Sequence, residues 1–306
     1  MARKKKGRAV SGWLVLDKPL GMTSTHAVSV VKRLFGAQKA GHAGTLDPLA
    51  TGSLPIALGE ATKTVPYVMD GRKVYAFTVR WGIETNTDDA EGAVVATSDH
   101  RPDRAAIEAA LAGFTGAIMQ VPPAFSAIKI EGERAYDLAR DGEEVVLEAR
   151  PVEIHRLSLD AMPDADTAQF SAECGKGTYV RALARDLGRV LGTRGHVTAL
   201  RRLMVSPFGE AAMVPLDALR AAHEAAGEEG CDGLMQPIEA ALAGLTELRV
   251  NRNEAARLRN GQSMLVRGRD APAEGDTVYA TEAGTLVAIG TIEQGELAPM
   301  RVFVGG

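Results

Sequence analysis

One acid stands alone in a long basic stretch of this chain. Asp47 is the only Asp or Glu between Asp17 and Glu60, and Lys18, Lys32, Arg33 and Lys39 share that interval. It lies in Gly41-His-Ala-Gly-Thr-Leu-Asp-Pro-Leu-Ala-Thr-Gly52, which carries three glycines and one proline and has no helical or strand period. Glycine reaches backbone angles closed to other residues, and Pro48 pushes Asp47 towards extended angles. The segment reads as a shaped loop presenting one carboxylate. Such an acid either caps the next helix or works beside a polyanion, and the basic surroundings favour the second role.

Two further clusters carry usable groups. The run Cys174-Gly-Lys-Gly-Thr-Tyr-Val-Arg-Ala-Leu-Ala-Arg185 begins with a glycine-rich turn that resembles a phosphate loop. It fails the pattern, because Phe170 stands where the first glycine belongs and Gly177 separates Lys176 from Thr178. Nucleotide hydrolysis is therefore not indicated. Arg181 and Arg185 lie one helical turn apart. They form either a solvated basic face or, for Arg181, a forked partner for a buried carboxylate. In the third cluster, Lys73 to Arg80, Tyr75 shares a strand face with Phe77, Val79 and Trp81. It either packs in the core or stacks on an exposed base, a contact that supplies roughly 1–3 kcal/mol.

The elements that must position these groups are mostly strands. Gly12 to Gly21 reads as a short buried strand stopped by Pro19 and Gly21, and Thr23 or Ser24 can cap the helix after it. Strands are expected over Lys73–Trp81, around Gly92–Thr97, over Val121–Ile130, and as a pair over Val152–Leu159 and Thr167–Cys174. Helices are expected over Pro102–Phe114, Arg134–Arg140, Tyr179–Leu191 and Arg252–Asn260. Strands outnumber helices without alternating regularly with them, which argues α+β with a large mixed, mostly antiparallel sheet. Composition shifts to Ala, Glu and Gly over Ala221–Gly233, and the domain join is expected just beyond it.

With 306 residues, 45 % of them hydrophobic, the chain can bury a sizeable core in one or two domains. Its net charge of -4 does not announce a nucleic-acid binder, so a polyanion site must come from local clustering. Cys174 and Cys231 make neither a disulfide framework nor a metal-ligand spacing. No apolar run approaches membrane-span length. The start, Met1 to Arg8, is basic without the apolar stretch of a signal peptide, and a cytoplasmic location is expected.

Taken together, several segments resemble the TruB family of tRNA pseudouridine synthases. They are Gly12 to Ser24, the whole Gly41–Gly52 loop, Lys73 to Gly82, Val121-Pro-Pro-Ala-Phe-Ser-Ala-Ile-Lys129, Gly132 to Arg140 and Gly177-Thr-Tyr-Val-Arg181. Ala43 departs from the family, which often has Thr there, without removing a group the chemistry needs. The resemblance runs from about residue 9 to the C-terminus. It implies a pseudouridine synthase fold over 11–240, a small β-rich PUA-like RNA-binding domain over 241–306, and a basic tail over 1–10. It also implies conversion of uridine-55 in the tRNA T loop to pseudouridine, with the T-arm stem-loop as partner, no obligatory protein partner, no cofactor and no metal. By resemblance Asp47 is the essential acid, Arg181 pairs with it and holds it ionised, and Tyr75 stacks on the flipped base and can assist proton transfer. His42 lies against the vacated stack, and Tyr179 and Leu200 line the uracil pocket. Lys18 and Lys129 are candidate phosphate or active-site contacts. A rival reading, a non-catalytic RNA-binding or RNA-folding protein, has no use for an isolated acid such as Asp47, although the resemblance allows a tRNA-folding activity beside the reaction. A second rival, a relative acting at sites chosen by a guide RNA, works inside larger complexes, and the continuous two-domain chain favours a stand-alone enzyme.

Overall fold

The computed structural model describes residues 7–126, 128–130, 133–135 and 145–303. Its frame is a nine-stranded sheet. The strands are β1 (Gly12–Lys18), β2 (Ala40–His42), β3 (Ala50–Leu58), β4 (Lys73–Trp81), β5 (Gly116–Gln120), β6 (Arg150–Ala161), β7 (Thr167–Cys174), β8 (Gly195–Val205) and β9 (Met213–Pro215). Their order across the sheet is β9-β1-β3-β8-β4-β7-β6-β5, with β2 paired to β3. The β1–β9 and β3–β8 pairs are parallel and the rest antiparallel. This is the large mixed, mostly antiparallel sheet expected from the sequence.

Period-2 patterning builds the middle of the sheet. In β4 every second side chain is buried, from Lys73 through Tyr75, Phe77 and Val79 to Trp81. Phe77 stacks on Phe170 of β7 with ring centroids 5.4 Å apart. Two central strands do not follow that pattern. β3 is buried on nearly every residue, and its Gly52 and Pro55 disguise it as loop. β8 carries Arg201 and Arg202 in a run that reads as polar, yet Arg202 is 1 % exposed.

The helices are α1 (Ser24–Leu34), α2 (Arg104–Leu111), α3 (Val180–Val190), α4 (Leu216–Gly230) and α5 (Arg252–Arg259). Thr23 caps α1 by accepting from His26 N at 3.1 Å. α3 packs across β8 and β4 with Arg181 and Arg185 both buried, so the solvated basic face is not what this helix presents. The expected strand over Val121–Ile130 is also corrected. Pro122 and Pro123 interrupt the ladder, the sheet's edge strand is β5 just before them, and the described part of 121–130 is strand only at Lys129–Ile130. The expected helix over Arg134–Arg140 lies outside the described residues beyond Ala135.

A second sheet closes the chain. β10 (Thr246–Arg249), β11 (Met264–Leu265), β12 (Thr277–Glu282), β13 (Thr285–Glu293) and β14 (Glu296–Val302) are ordered β10-β12-β13-β14-β11. They share a core of Val250, Leu258, Val278, Val287, Ile292 and Leu297 with α5. No helix among the described residues is long and apolar enough to cross a membrane.

One glycine joins the two halves of the main sheet. Gly52 lies at φ +98°, where a Cβ would overlap the carbonyl oxygen of Arg202 on β8. Gly209 is the contrast: its φ is -85°, and a Cβ there meets nothing. Gly52→Ala is expected to cost about 2–3 kcal/mol or more in urea unfolding, because strain and overlap add, while Gly209→Ala stays within about 1 kcal/mol of the parent. Equal midpoints for the two variants would refute the account.

Candidate active site

Asp47 sits on the crossing from β2 to β3, where three different anchors shape the chain. Ser24, the first residue of α1, accepts from Leu46 N and donates to Leu46 O, both at 2.8 Å. Arg202 donates from Nη2 to Gly44 O at 3.0 Å, from Nη1 to Thr45 O at 3.1 Å and from Nε to Ser53 O at 2.7 Å. Lys18 donates from Nζ to Pro19 O at 3.0 Å, Met22 O at 2.7 Å and Pro48 O at 3.4 Å. The loop is thus held from β1, α1 and β8 at once, and Gly44 takes a φ of +103° within it.

The Asp47 carboxylate, about one-third exposed, meets a buried cation. Arg181 Nε lies 2.9 Å from Asp47 Oδ2. Arg181 is two residues inside α3, so the helix aims it at the loop. Its other nitrogens are occupied: Nη1 donates to Thr87 O and Nη2 to Phe125 O, each at 2.9 Å. Asp89 Oδ2 stands 3.5 Å from Nη1. The acidic loop after β4 therefore folds back to the site, and Asp47 does not stand alone in space as it does in sequence.

The remaining candidates divide by position. Tyr75 is 9 % exposed on β4, where it is the register partner of Arg202 on β8. Burial raises its phenol above the ordinary value, so the group stays neutral. Tyr179 is the half-buried N-cap residue of α3, and its backbone is held by Gln120, which accepts from Tyr179 N at 2.9 Å and donates to Tyr179 O at 3.2 Å. Burial raises its phenol too, with Asp47 adding to the effect. Leu200 is buried on β8 opposite Ala50 and Phe77. His42 is half-buried at the end of β2, and its Nδ1 is buried without a hydrogen-bond partner among the described residues. Burial, and then the charge of Arg202, lower its value, which favours the neutral imidazole.

The two lysines fare differently. Lys18 is fully buried, and its ammonium is taken up by three carbonyls. Of the two roles expected for Lys18, phosphate contact or active-site contact, its burial beneath the Asp47 loop favours the second, as an anchor bonded to Pro48 O. Lys129 belongs to a two-residue strand, and its side chain is outside what the structure describes. The sequence did not single out Asp89, Gln120 or Arg202, and marked Ser24 only as a candidate cap for α1. For Arg202 the sequence carried no clear signal, because Arg201 beside it makes the run read as polar. Among the described residues, no group of three or more His, Cys, Asp or Glu is placed to hold a metal.

Comparison with known proteins agrees with this architecture. The model of the TruB family pseudouridylate synthase N-terminal domain matches residues 32–180. That of the tRNA pseudouridylate synthase B C-terminal domain matches residues 181–243. The tRNA pseudouridine synthase B of Bradyrhizobium diazoefficiens is 62 % identical over 311 residues, covering 99 % of this chain and 90 % of the relative. Its counterpart from Agrobacterium fabrum is 63 % identical over 305 residues, covering 98 % and 97 %. Among solved structures, a chain of a Cbf5-Nop10-Gar1 complex superposes with a TM-score of 0.74 at 25 % identity, over 96 % of this chain and 84 % of that one. A chain of an H/ACA RNP bound to a substrate RNA containing 2′-deoxyuridine has the same fold, with a TM-score of 0.76 at 22 % identity over 100 % and 92 %.

The buried Lys18 gives a signed pH prediction. Burial lowers its value from 10.5 to about 8, against the opposing pull of Asp47. Between those values the unfolded chain holds a proton that the folded protein has lost. The cost of burying the cation is thus fully present below pH 8 and fades as the pH climbs towards 10.5. In urea unfolding from about pH 7.5 to about 9.5, the stability difference between wild type and Lys18→Met should move in favour of wild type as pH rises. A pH-independent difference would show that Lys18 does not titrate in this range.

Proposed function

The chain belongs to the TruB family of pseudouridylate synthases, isomerases that act on RNA, and we propose that its reaction is the conversion of uridine-55 in the tRNA T loop to pseudouridine. The observation that carries the proposal is the Asp47 carboxylate, partly open to solvent on an anchored loop and 2.9 Å from a buried guanidinium. The reaction breaks the N1–C1′ bond, turns the uracil, forms a C5–C1′ bond and moves the C5 proton to N1. Atoms and electrons balance within the nucleotide. The protein must therefore supply an anion, a place for the turning base, and exclusion of water.

The residues divide that work. Asp47 is the anion, acting either by attack on the ribose or base or by removal of a ribose proton to give a glycal. Arg181 holds it in place. A base inside a folded loop must leave its stack before its glycosidic bond can be reached. Tyr75 offers the ring on which the flipped uracil stacks, with a phenol that burial keeps neutral. Tyr179 and Leu200 flank it. His42 takes the place of the departed base.

We further propose that residues 11–240 form the catalytic domain and 241–306 a PUA-like domain that docks tRNA by its phosphates. Arg252 and Arg257 are exposed on α5, and Arg249 is exposed beside them. Arg259 is tied to Glu282 at 2.7 Å.

Two experiments test these assignments. Asp47→Asn keeps the size of the side chain and removes its charge. It is expected to abolish pseudouridine formation on a T-arm stem-loop while stem-loop binding survives, and turnover near wild type would overturn the site. Separately, Arg252→Glu with Arg257→Glu should weaken binding of full tRNA and lower its salt slope by about 1 per lost phosphate contact. Stem-loop turnover should be unchanged. An unaltered salt slope would remove the docking role from α5.

A further inference from the structure

Two arginines one turn apart on α3 are bound in the same way. Arg181 takes a carboxylate, Asp89, from the turn after β4 and a carbonyl, Phe125 O, from the segment after β5. Arg185 repeats the arrangement one turn deeper. Its Nη1 donates to Asp88 Oδ2 at 2.8 Å and its Nη2 to Val121 O at 2.7 Å. Nε donates to Asp186 Oδ1 at 2.8 Å, so each nitrogen of the guanidinium has a partner. Only the front arginine of the two reaches Asp47.

The rear contact is built into the backbone as well as the side chains. Asp88 has a φ of 60°, in the left-handed region that a non-glycine residue occupies only when its surroundings hold it there. Asp88 O accepts from Val197 N at 3.0 Å, which fastens the turn to β8. Both Asp88 and Arg185 are deeply buried. A buried pair of this kind is a poor source of net stability, because desolvation offsets the attraction, but it tolerates only one geometry. Consecutive residues Asp88 and Asp89 then face arginines four residues apart, and the carbonyls of Val121 and Phe125 do the same from the other side.

We infer that Arg185 is a positioning residue for catalysis: with Asp88 it fixes the Thr87–Asp89 turn and the Val121–Phe125 segment, the two supports on which Arg181 rests beneath Asp47. The inference depends on the reading of Asp47 as the reactive acid. Among the described residues Arg185 bonds to Asp88, Asp186 and Val121 O and makes no ion pair with Asp47. Its effect is transmitted as a displacement of Thr87 O and Phe125 O, the two carbonyls that orient the Arg181 fork.

The test uses full-length Arg185→Met, Arg185→Lys, Asp88→Asn and the double variant Asp88→Asn/Arg185→Met. Asp47→Asn is the reference. Single-turnover rate and affinity are measured on a T-arm stem-loop. Arg185→Met should slow single turnover by roughly 10- to 100-fold, the scale of a small misplacement of a reacting group, while stem-loop affinity stays at the wild-type value. Asp88→Asn should do the same, and the double variant should be no slower than the slower single one, since the two act as a unit. Arg185→Lys, which keeps a charge that can reach one partner, should recover part of the rate. Wild-type turnover in Arg185→Met, multiplied losses in the double variant, or a rate that falls only in step with affinity would each overturn the inference. If Arg185→Met does not fold, Asp88→Asn and Arg185→Lys decide it by the same rate-against-affinity criterion. An inactive Asp47→Asn beside unaffected Arg185 variants removes this inference alone, whereas an active Asp47→Asn removes the reading of the site beneath it.

Discussion

A guanidinium shut away from water must have its N–H groups met by acceptors, and Arg181 imposes that requirement on the whole site. It is 5 % exposed. Its acceptors come from the Asp47 loop, the turn carrying Thr87 and Asp89, and the segment ending at Phe125. These pieces are far apart in the chain and converge on this one side chain. Leaving one donor of a buried charge unmet costs more than a single hydrogen bond returns. The three segments are therefore held to one another by the arginine between them. Asp47 inherits its position from that agreement, as a reactive carboxylate must if the substrate is to find it already placed.

Arg202 applies the same rule on the opposite side of the loop. Among the described residues its hydrogen bonds go to three carbonyls, two of them at the turn before Asp47. A buried positive charge held by carbonyls acts on its neighbours. It lowers the values of Lys18, Lys73 and His42, in each case after burial itself. One buried charge thus shapes the loop mechanically and, after burial, disfavours protonation of the bases around it. These are two consequences of a single choice of residue in β8.

The fold class was legible because period 2 survives wherever a strand buries one face, as in β4, and because Thr23 gives α1 a clear start. The Asp47 loop was legible because glycine and proline advertise unusual backbone. β3 and β8 were hidden for a physical reason. A central strand crossed by a tight approach needs Gly52, and a strand beneath a carbonyl-rich turn needs Arg202, so function and packing overwrite the local pattern in those strands. Pairings were less legible still. That Asp89 would reach Arg181, or Asp88 reach Arg185, depends on a turn with one left-handed residue, and no spacing in the sequence encodes it. Lys18 was legible as a candidate contact at the site, but its burial was not, because it depends on three carbonyls, those of Pro19, Met22 and Pro48, converging on one ammonium.

Charge at the site explains how a chain of net charge -4 can work on a polyanion. Arg181 and Arg185 are answered by Asp47, Asp88, Asp89 and Asp186, and Lys18 and Arg202 by backbone carbonyls, so most of the buried charge at the site is met by the protein itself. Glu91 is tied into the same turn, its backbone N donating to Asp89 at 3.0 Å. An anchored centre of this kind neither attracts nor repels phosphate strongly, and that suits a pocket whose guest is an uncharged base. Affinity for the backbone must then be supplied outside it, by exposed cations such as Arg249, Arg252 and Arg257 that escape the geometric demands of the centre. Separating the two tasks leaves the buried charges to geometry alone. It also means that salt, which screens exposed phosphate contacts far more than buried pairs, acts on how the RNA is held and leaves the arrangement around Asp47 intact.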